Sequence, residues 1–413
     1  MPQTIEANLF QSIYEPVMRA ELVINDPIGL FVNFPLTGEE IVRIVMKVDD
    51  SSTKEFLYVI EDISDITVAN DARSAVYVMS LVTVEALSNS LMSIQKCYNG
   101  KSNDAVKSIY SEYIEKPLKT LAQNYISRPF ISTESDTETA KTLIIPNLRP
   151  FAAINMISEY HQPLDDTRYS YIFFQNSDGF IYTPLQDLFS ESKTGAKRSS
   201  AFRNKYKFIS DQIDTSQLMD NEGRLVTSMT YNSRFSTIEK IAMGYFQNNL
   251  FEVNMLQKAY FATKKTTNDV STIYKNKLNT SAYSNAIPIN TDNEASNRTK
   301  YIINNQKEND SSYPISDIRN RWGKDLISKL AMSQIDITVT IPGNYDFAAG
   351  DLFYLEVPEA HGFNQLNEDD LISGFFVITE IVHTIQQNGN FSTSLRINKD
   401  SYENTIDRKS RFA

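Results

Sequence analysis

Ile335, Ile337, Val339 and Ile341 alternate with Asp336, Thr338 and Thr340, the two-residue period of a strand with one buried face. Pro342-Gly343 ends that strand, and Gly350-Asp351 opens a second over Leu352 to Val357. A third, Phe375 to Ile385, is apolar on both faces for most of its length, so both faces need cover. Asn388-Gly389 predicts a type I′ turn. Beyond it Phe391, Thr393, Leu395 and Ile397 alternate with Ser392, Ser394 and Arg396. The stretch from Ile335 to Ile397 therefore reads as an antiparallel β unit.

The same layout occurs near the start. Glu21 to Ile24 answers Asp336 to Ile341, and Phe34 before Gly38-Glu39 answers Phe347 before Gly350-Asp351. Phe56 to Ile63 answers Phe375 to Ile381, and Tyr77 to Val84 answers Phe391 to Ile397. The match lies in strand order and turn placement rather than in residue identity. It predicts two related β domains, one at each end of the chain.

Between them the pattern turns helical. Ala86 to Tyr98 is one predicted helix, stopped by Asn99-Gly100, and Asn103 is placed to cap a second carrying Val106, Ile109, Tyr110, Tyr113 and Ile114. Pro150 suits the first turn of a helix with Phe151, Ile154 and Ile157 on one side. A hairpin follows, Tyr171 to Phe174 and Phe180 to Tyr182, turned by Asn176 to Gly179. Arg224 to Tyr231 is strand-like, whereas Thr263 to Ser312 is rich in Asn, Thr, Ser and Lys and has no Gly. A helix then places Ile315, Ile318, Trp322, Leu326 and Leu330 on one stripe, with the neighbouring β unit as the expected cover. Gly323 inside it costs about 1 kcal/mol against Ala unless close packing needs the missing side chain.

The fold class expected is α+β, dominated by strand. The expected domains are a first β domain with flanking helices over residues 1–115 and a mixed α/β middle domain over 116–205. The second β domain spans 206–262 and 313–405, around an extended polar insertion at 263–312, and 406–413 is a tail. A chain of 413 residues is long enough for several cores, and 22 Tyr with 23 Phe supply ample packing material.

Charge and composition exclude several chemistries. A net charge of −11 argues against electrostatic binding of nucleic acid by the molecule as a whole. One cysteine, Cys97, excludes an internal disulfide framework and a cysteine-based zinc site; in its predicted helix it reads as a packing residue. Met1 to Phe10 lacks a basic region followed by an apolar run, and no segment approaches the roughly 18 apolar residues of a membrane span. A soluble protein made in a reducing compartment is expected.

Candidate chemistry is sparse. His161, His361 and His383 share no metal-ligand spacing, and HExxH, GxSxG and P-loop motifs are absent. Glu380 and His383 lie three apart on a strand and so point to opposite faces, which argues against a catalytic pair. Glu368-Asp369-Asp370 sits in a polar loop. No catalytic, cofactor or metal site is expected. Lys193, Lys197, Arg198, Arg203, Lys205 and Lys207 form the one dense basic run, readable as a solvated loop or as a contact for an acidic partner.

The order Ile335–Ile341, Gly350-Asp351, Gly374 to His383, Phe391–Ile397 resembles the C-terminal tube domain of contractile-tail phage baseplate hub proteins, a layout shared with type VI secretion spike and late-control tail proteins. Leu9 to Pro16 through Gly38-Glu39-Glu40-Ile41 looks like the N-terminal tube domain of such hubs, and Ile144 to Phe151 is similar to a segment of their middle region. The resemblance implies two antiparallel β-barrel domains of tube type and a structural role without enzymatic activity or cofactor. It implies a homotrimer whose six tube domains meet a hexameric tail tube on one side. On the other side it would hold a central spike that in some phages carries a cell-wall hydrolase, with surrounding baseplate subunits as further partners. The protein would sit in the virion tail after assembly in the host cytoplasm, without sequence-specific nucleic-acid contacts. An acidic chain would suit a channel through which DNA slides. A tail-associated peptidoglycan or glycan hydrolase and a carbohydrate-binding tail-tip module are the readings from other classes.

Overall fold

The computed structural model describes residues 3–27, 36–49, 52–68, 75–121, 125–132, 141–160, 170–189, 205–208, 224–234, 236–266, 298–304, 315–357 and 372–402, with Gly29, Asn279 and 281–282. Near the N-terminus lie β1 (Gln3–Ser12), β2 (Arg19–Asp26), β3 (Ile41–Asp49), β4 (Ser52–Val68) and β5 (Ala75–Thr83), paired in the order β1-β2-β5-β4-β3. Later come β6 (Ser228–Arg234), β7 (Ile335–Pro342), β8 (Leu352–Glu356), β9 (Gly374–Gln386) and β10 (Phe391–Lys399), paired β6-β7-β10-β9-β8. The two orders are the same, and every pair is antiparallel.

The agreement extends to single residues. Met79 faces Leu22 on one side and Ile63 on the other; Leu395 faces Val339 and Ile381. Val42 faces Tyr58 as Phe353 faces Phe376. A bulge follows Ile60 in β4 and Ile378 in β9, at equivalent points of the ladder. Such a bulge re-aims every side chain after it, so its recurrence fixes the same face as core in both copies. Gly38 and Gly350, before β3 and β8, both take left-handed backbone, φ +84° and +92°, which disfavours side chains with a Cβ. The fifth strand, β1 or β6, was not part of the pattern seen in the sequence.

Neither copy closes into the expected barrel among the described residues. Among the described residues they belong to one continuous sheet of 12 strands, which also takes in the short strands at Tyr206–Phe208 and Leu225–Val226. The reason is a mismatch of lengths. β9 has 13 residues but β8 only 5, so the far half of β9 keeps an uncovered edge. β1 fills it, pairing antiparallel from Glu6↔Gln386 to Ser12↔Glu380.

The region between the copies holds its own core of Val106, Ile109, Ile154, Ile157, Phe180 and Tyr182. Helix α1 (Pro150–Tyr160) starts at its proline, and the predicted hairpin is present as Tyr171–Asn176 and Gly179–Pro184. The helix expected over Ala86 to Tyr98 stops at Leu91; Ile94–Gly100 is instead a strand, paired with Lys141–Leu148. Cys97 sits on that strand and is exposed rather than packed. Lys101, not Asn103, caps the next helix, Ser102–Ile109, without a side-chain hydrogen bond. That helix widens to a π-turn over Tyr110–Glu115 just before Lys116–Leu121, where Pro117 has no N–H to donate.

Part of the polar stretch is ordered into sheet. Gln247–Asn254 pairs with Ala259–Thr266 on one edge and, in parallel, with Arg298–Asn304 on the other. Helix α2 (Ile315–Met332) packs on this small sheet rather than mainly on the neighbouring β unit. Its most buried described side chains are Ile327, Met332, Arg321 and Ala331, whereas Trp322, Leu326 and Leu330 are half-buried, so the covered stripe is rotated from the predicted one. A Cβ on Gly323 would lie 2.4 Å from Asn248 Oδ1, which explains the glycine.

Candidate assembly interface

The seam between the copies is hydrogen-bonded by side chains as well as backbone. Thr384 Oγ1 donates to Asn8 Oδ1 at 2.8 Å, and Gln387 Nε2 reaches Gln3 Oε1 at 3.0 Å. Backbone bonds continue past both ends: Ile13 N to Thr379 O at 3.0 Å and Gln387 N to Ile5 O at 2.8 Å. Leu9 is buried opposite His383, and Ile385 of the second copy packs into the core of the first beside Ala7.

The middle region locks the seam. Its hairpin tip inserts between the copies: Gln175 Oε1 accepts from Met18 N at 3.1 Å and from Thr83 Oγ1 at 2.7 Å. Asn176 Nδ2 donates to Ala349 O at 2.9 Å. Buried Gln11 on β1 accepts from Ser177 N and Ala349 N at 3.3 and 3.4 Å, touching the hairpin and the second copy at once. Lys54 Nζ on β4 donates to Tyr345 O at 3.0 Å. These bonds tie all three parts together, and docking replaces water on these polar groups with protein partners.

His383 lies inside this junction, its Nδ1 3.1 Å from Thr393 Oγ1 and its ring centroid 5.0 Å from that of Tyr345. Burial, with a smaller contribution from the Lys54 charge, holds its pKa down to about 4, so the imidazole is neutral. Glu380 points elsewhere. Arg396 bridges it at 3.1 Å and Asp336 at 2.7 Å, a cross-strand ion group within the second copy. The two side chains therefore serve separate surroundings, as their spacing indicates.

Of the basic run, Lys205 is exposed and bonded to Glu356, and Lys207 lies on the strand Tyr206–Phe208; Lys193, Lys197, Arg198 and Arg203 lie outside the described residues. So do His161, His361, Phe34 and Glu368-Asp369-Asp370. No group of three metal-ligating side chains occurs among the described residues. A cleft of about 510 Å³ opens between α1, the hairpin and α2, with Glu159, Arg321 and Trp322 in its wall. Its Asp325 is 2.9 Å from Lys329. No described helix is long and apolar enough to cross a membrane.

No family model matches the chain. Over 307 residues it is 21% identical to the probable baseplate hub protein gp334 of Vibrio phage KVP40, covering 68% of this chain and 70% of that one. The chain is thus similar in sequence to a phage baseplate hub protein. Its fold is similar to that of the tail protein from Neisseria meningitidis MC58, with a TM-score of 0.52, 11% identity, and 96% and 93% of the two chains covered. The 43 kDa tail protein of prophage MuSo2 from Shewanella oneidensis gives a TM-score of 0.52 at 9% identity over 97% and 96%. The likeness of fold to these two tail proteins extends along nearly the whole length of the chain. The repeated strand order is legible in the sequence, but the seam is not: Asn8 and Thr384, bonded across it, lie 376 residues apart.

Proposed function

We propose that the chain is the structural hub of a contractile-tail baseplate. Three copies form a ring in which six β units meet the tail tube on one side and hold the spike on the other, lining part of the injection channel. Barrel closure belongs to the ring rather than to either copy alone. The observation that carries this reading is the in-register repetition of five paired strands within one chain, joined by a hydrogen-bonded seam. Two equivalent units per chain let a threefold assembly match a sixfold tube. Such a protein resides in the virion tail and is assembled in the host cytoplasm.

Light scattering of the purified chain, alone and with its tube and spike proteins, tests the proposal. A trimer that binds both is expected. A monomer at every concentration that neither associates with them nor trimerises in their presence would overturn it, as would peptidoglycan cleavage by the chain.

A further inference from the structure

The seam inside the chain specifies which edges join one chain to the next. Within the chain, the first strand of copy one (β1) lies on the far half of β9 in copy two. β6 is the counterpart of β1, and β4 is the counterpart of β9. Repeating the same operation would lay β6 on the far half of β4. Within one chain it does not: among the described residues β6 pairs only with β7, and β4 beyond Val59 pairs only with β5.

Exposure follows the same logic. Ile385 faces Phe391 as Val68 faces Ala75, so these two occupy one position. Ile385 is half-buried in the seam, while Val68 is 56% exposed and Ile66 beside it 43%. Leu9 is 2% exposed, while Tyr231, in its place on β6, is 39% exposed. Apolar side chains thus stand on two open edges at the positions that are covered where the seam exists. An open edge with β-branched apolar residues is a template for another strand.

We propose that β6 of one chain adds antiparallel to the far half of β4 of the next. From Thr67 onward, past an irregularity between Ser64 and Thr67 that β9 does not share, the register copies the seam: Met229 opposite Val68, as Ala7 is opposite Ile385, and Thr230 opposite Thr67, as Asn8 is opposite Thr384. The partner is a second copy of this chain. The contact is head-to-tail, because each chain offers one edge of each kind, and three such contacts close the ring. This deepens the hub reading and rests on it for the number three.

Cysteine pairs test the register directly, in a Cys97→Ser background that removes the exposed thiol. Cross-strand neighbours have Cα atoms about 4.5–5.5 Å apart, within disulfide reach. Ala7→Cys with Ile385→Cys should close within one chain and reports that the seam is formed. Met229→Cys with Val68→Cys should oxidise between chains at high protein concentration, giving reducible covalent trimers on a denaturing gel. An offset pair, Met229→Cys with Asp62→Cys, should give at least tenfold less. Val68→Lys, a surface change, should raise the concentration needed for self-association at least tenfold with an unchanged Tm. A trimer by light scattering that shows no Met229–Val68 cross-link, while the seam control closes, overturns the edge pairing and leaves the hub reading standing. A chain monomeric at every concentration overturns the edge pairing, and with it the trimer if its tube and spike proteins do not induce one.

Discussion

His383 shows how a polar residue can be spent on packing at a junction. Its pKa of about 4 lies below the ordinary 6.5, so the folded protein holds it neutral while the unfolded chain takes up a proton. Stability is therefore complete above about pH 6.5 and falls as the pH drops toward 4, by up to about 3 kcal/mol. Denaturant melts between pH 7 and 4.5 should show this slope, and His383→Gln should flatten it. Glu85 presents the opposite sign. Burial raises its pKa above the usual carboxylate value, against the hydrogen bond from Tyr125 at 3.2 Å. Folding therefore favours its protonated form, and stability falls as the pH rises through the ordinary carboxylate range. Glu85→Gln keeps an acceptor for Tyr125 without the buried charge, and a Tm increase at pH 7 worth roughly 1 kcal/mol is expected.

At the scale of elements, what sequence could and could not reveal has a physical cause. The alternation in β7 and β10 and the glycine turns before β3 and β8 were legible because they are local, one residue in two or one left-handed residue. β1 was not, because QTIEANLFQS carries a polar residue, Gln11, on its buried face. That glutamine is there to bond a hairpin from another part of the chain. Ile94–Gly100 was misread as helix for a related reason: its strand conformation is set by pairing with Lys141–Leu148, not by its own pattern. The small sheet under α2 gives a test at this scale. Gly323→Ala gains helix propensity of about 1 kcal/mol in an exposed helix. Here its Cβ would meet Asn248 Oδ1 and the Lys265 side chain, at 2.4 and 2.8 Å. A net loss of about 1–2 kcal/mol in urea melts is expected.

For the whole molecule, the seam makes two units one cooperative body. Hydrogen exchange should protect β1 and β9 alike, and a single thermal transition should report both copies. Removing residues 1–12 should destabilise the second copy as much as the first, because β9 then loses half of one edge and the hairpin loses Gln11. Exchange rates in β9 and β10 of the truncated chain measure this directly. The seam also has a consequence for synthesis. Asn8 leaves the ribosome 376 residues before its partner Thr384. At about 5–20 residues per second, the first strand waits on the order of 20–75 s for the strand that completes its pairing. Throughout that interval a strand edge destined for the interior of a sheet is on offer to any nascent neighbour on the same message. The chain's first element is thus among the last to be finished, and the fidelity of assembly depends on keeping that early edge unoccupied until its own chain arrives.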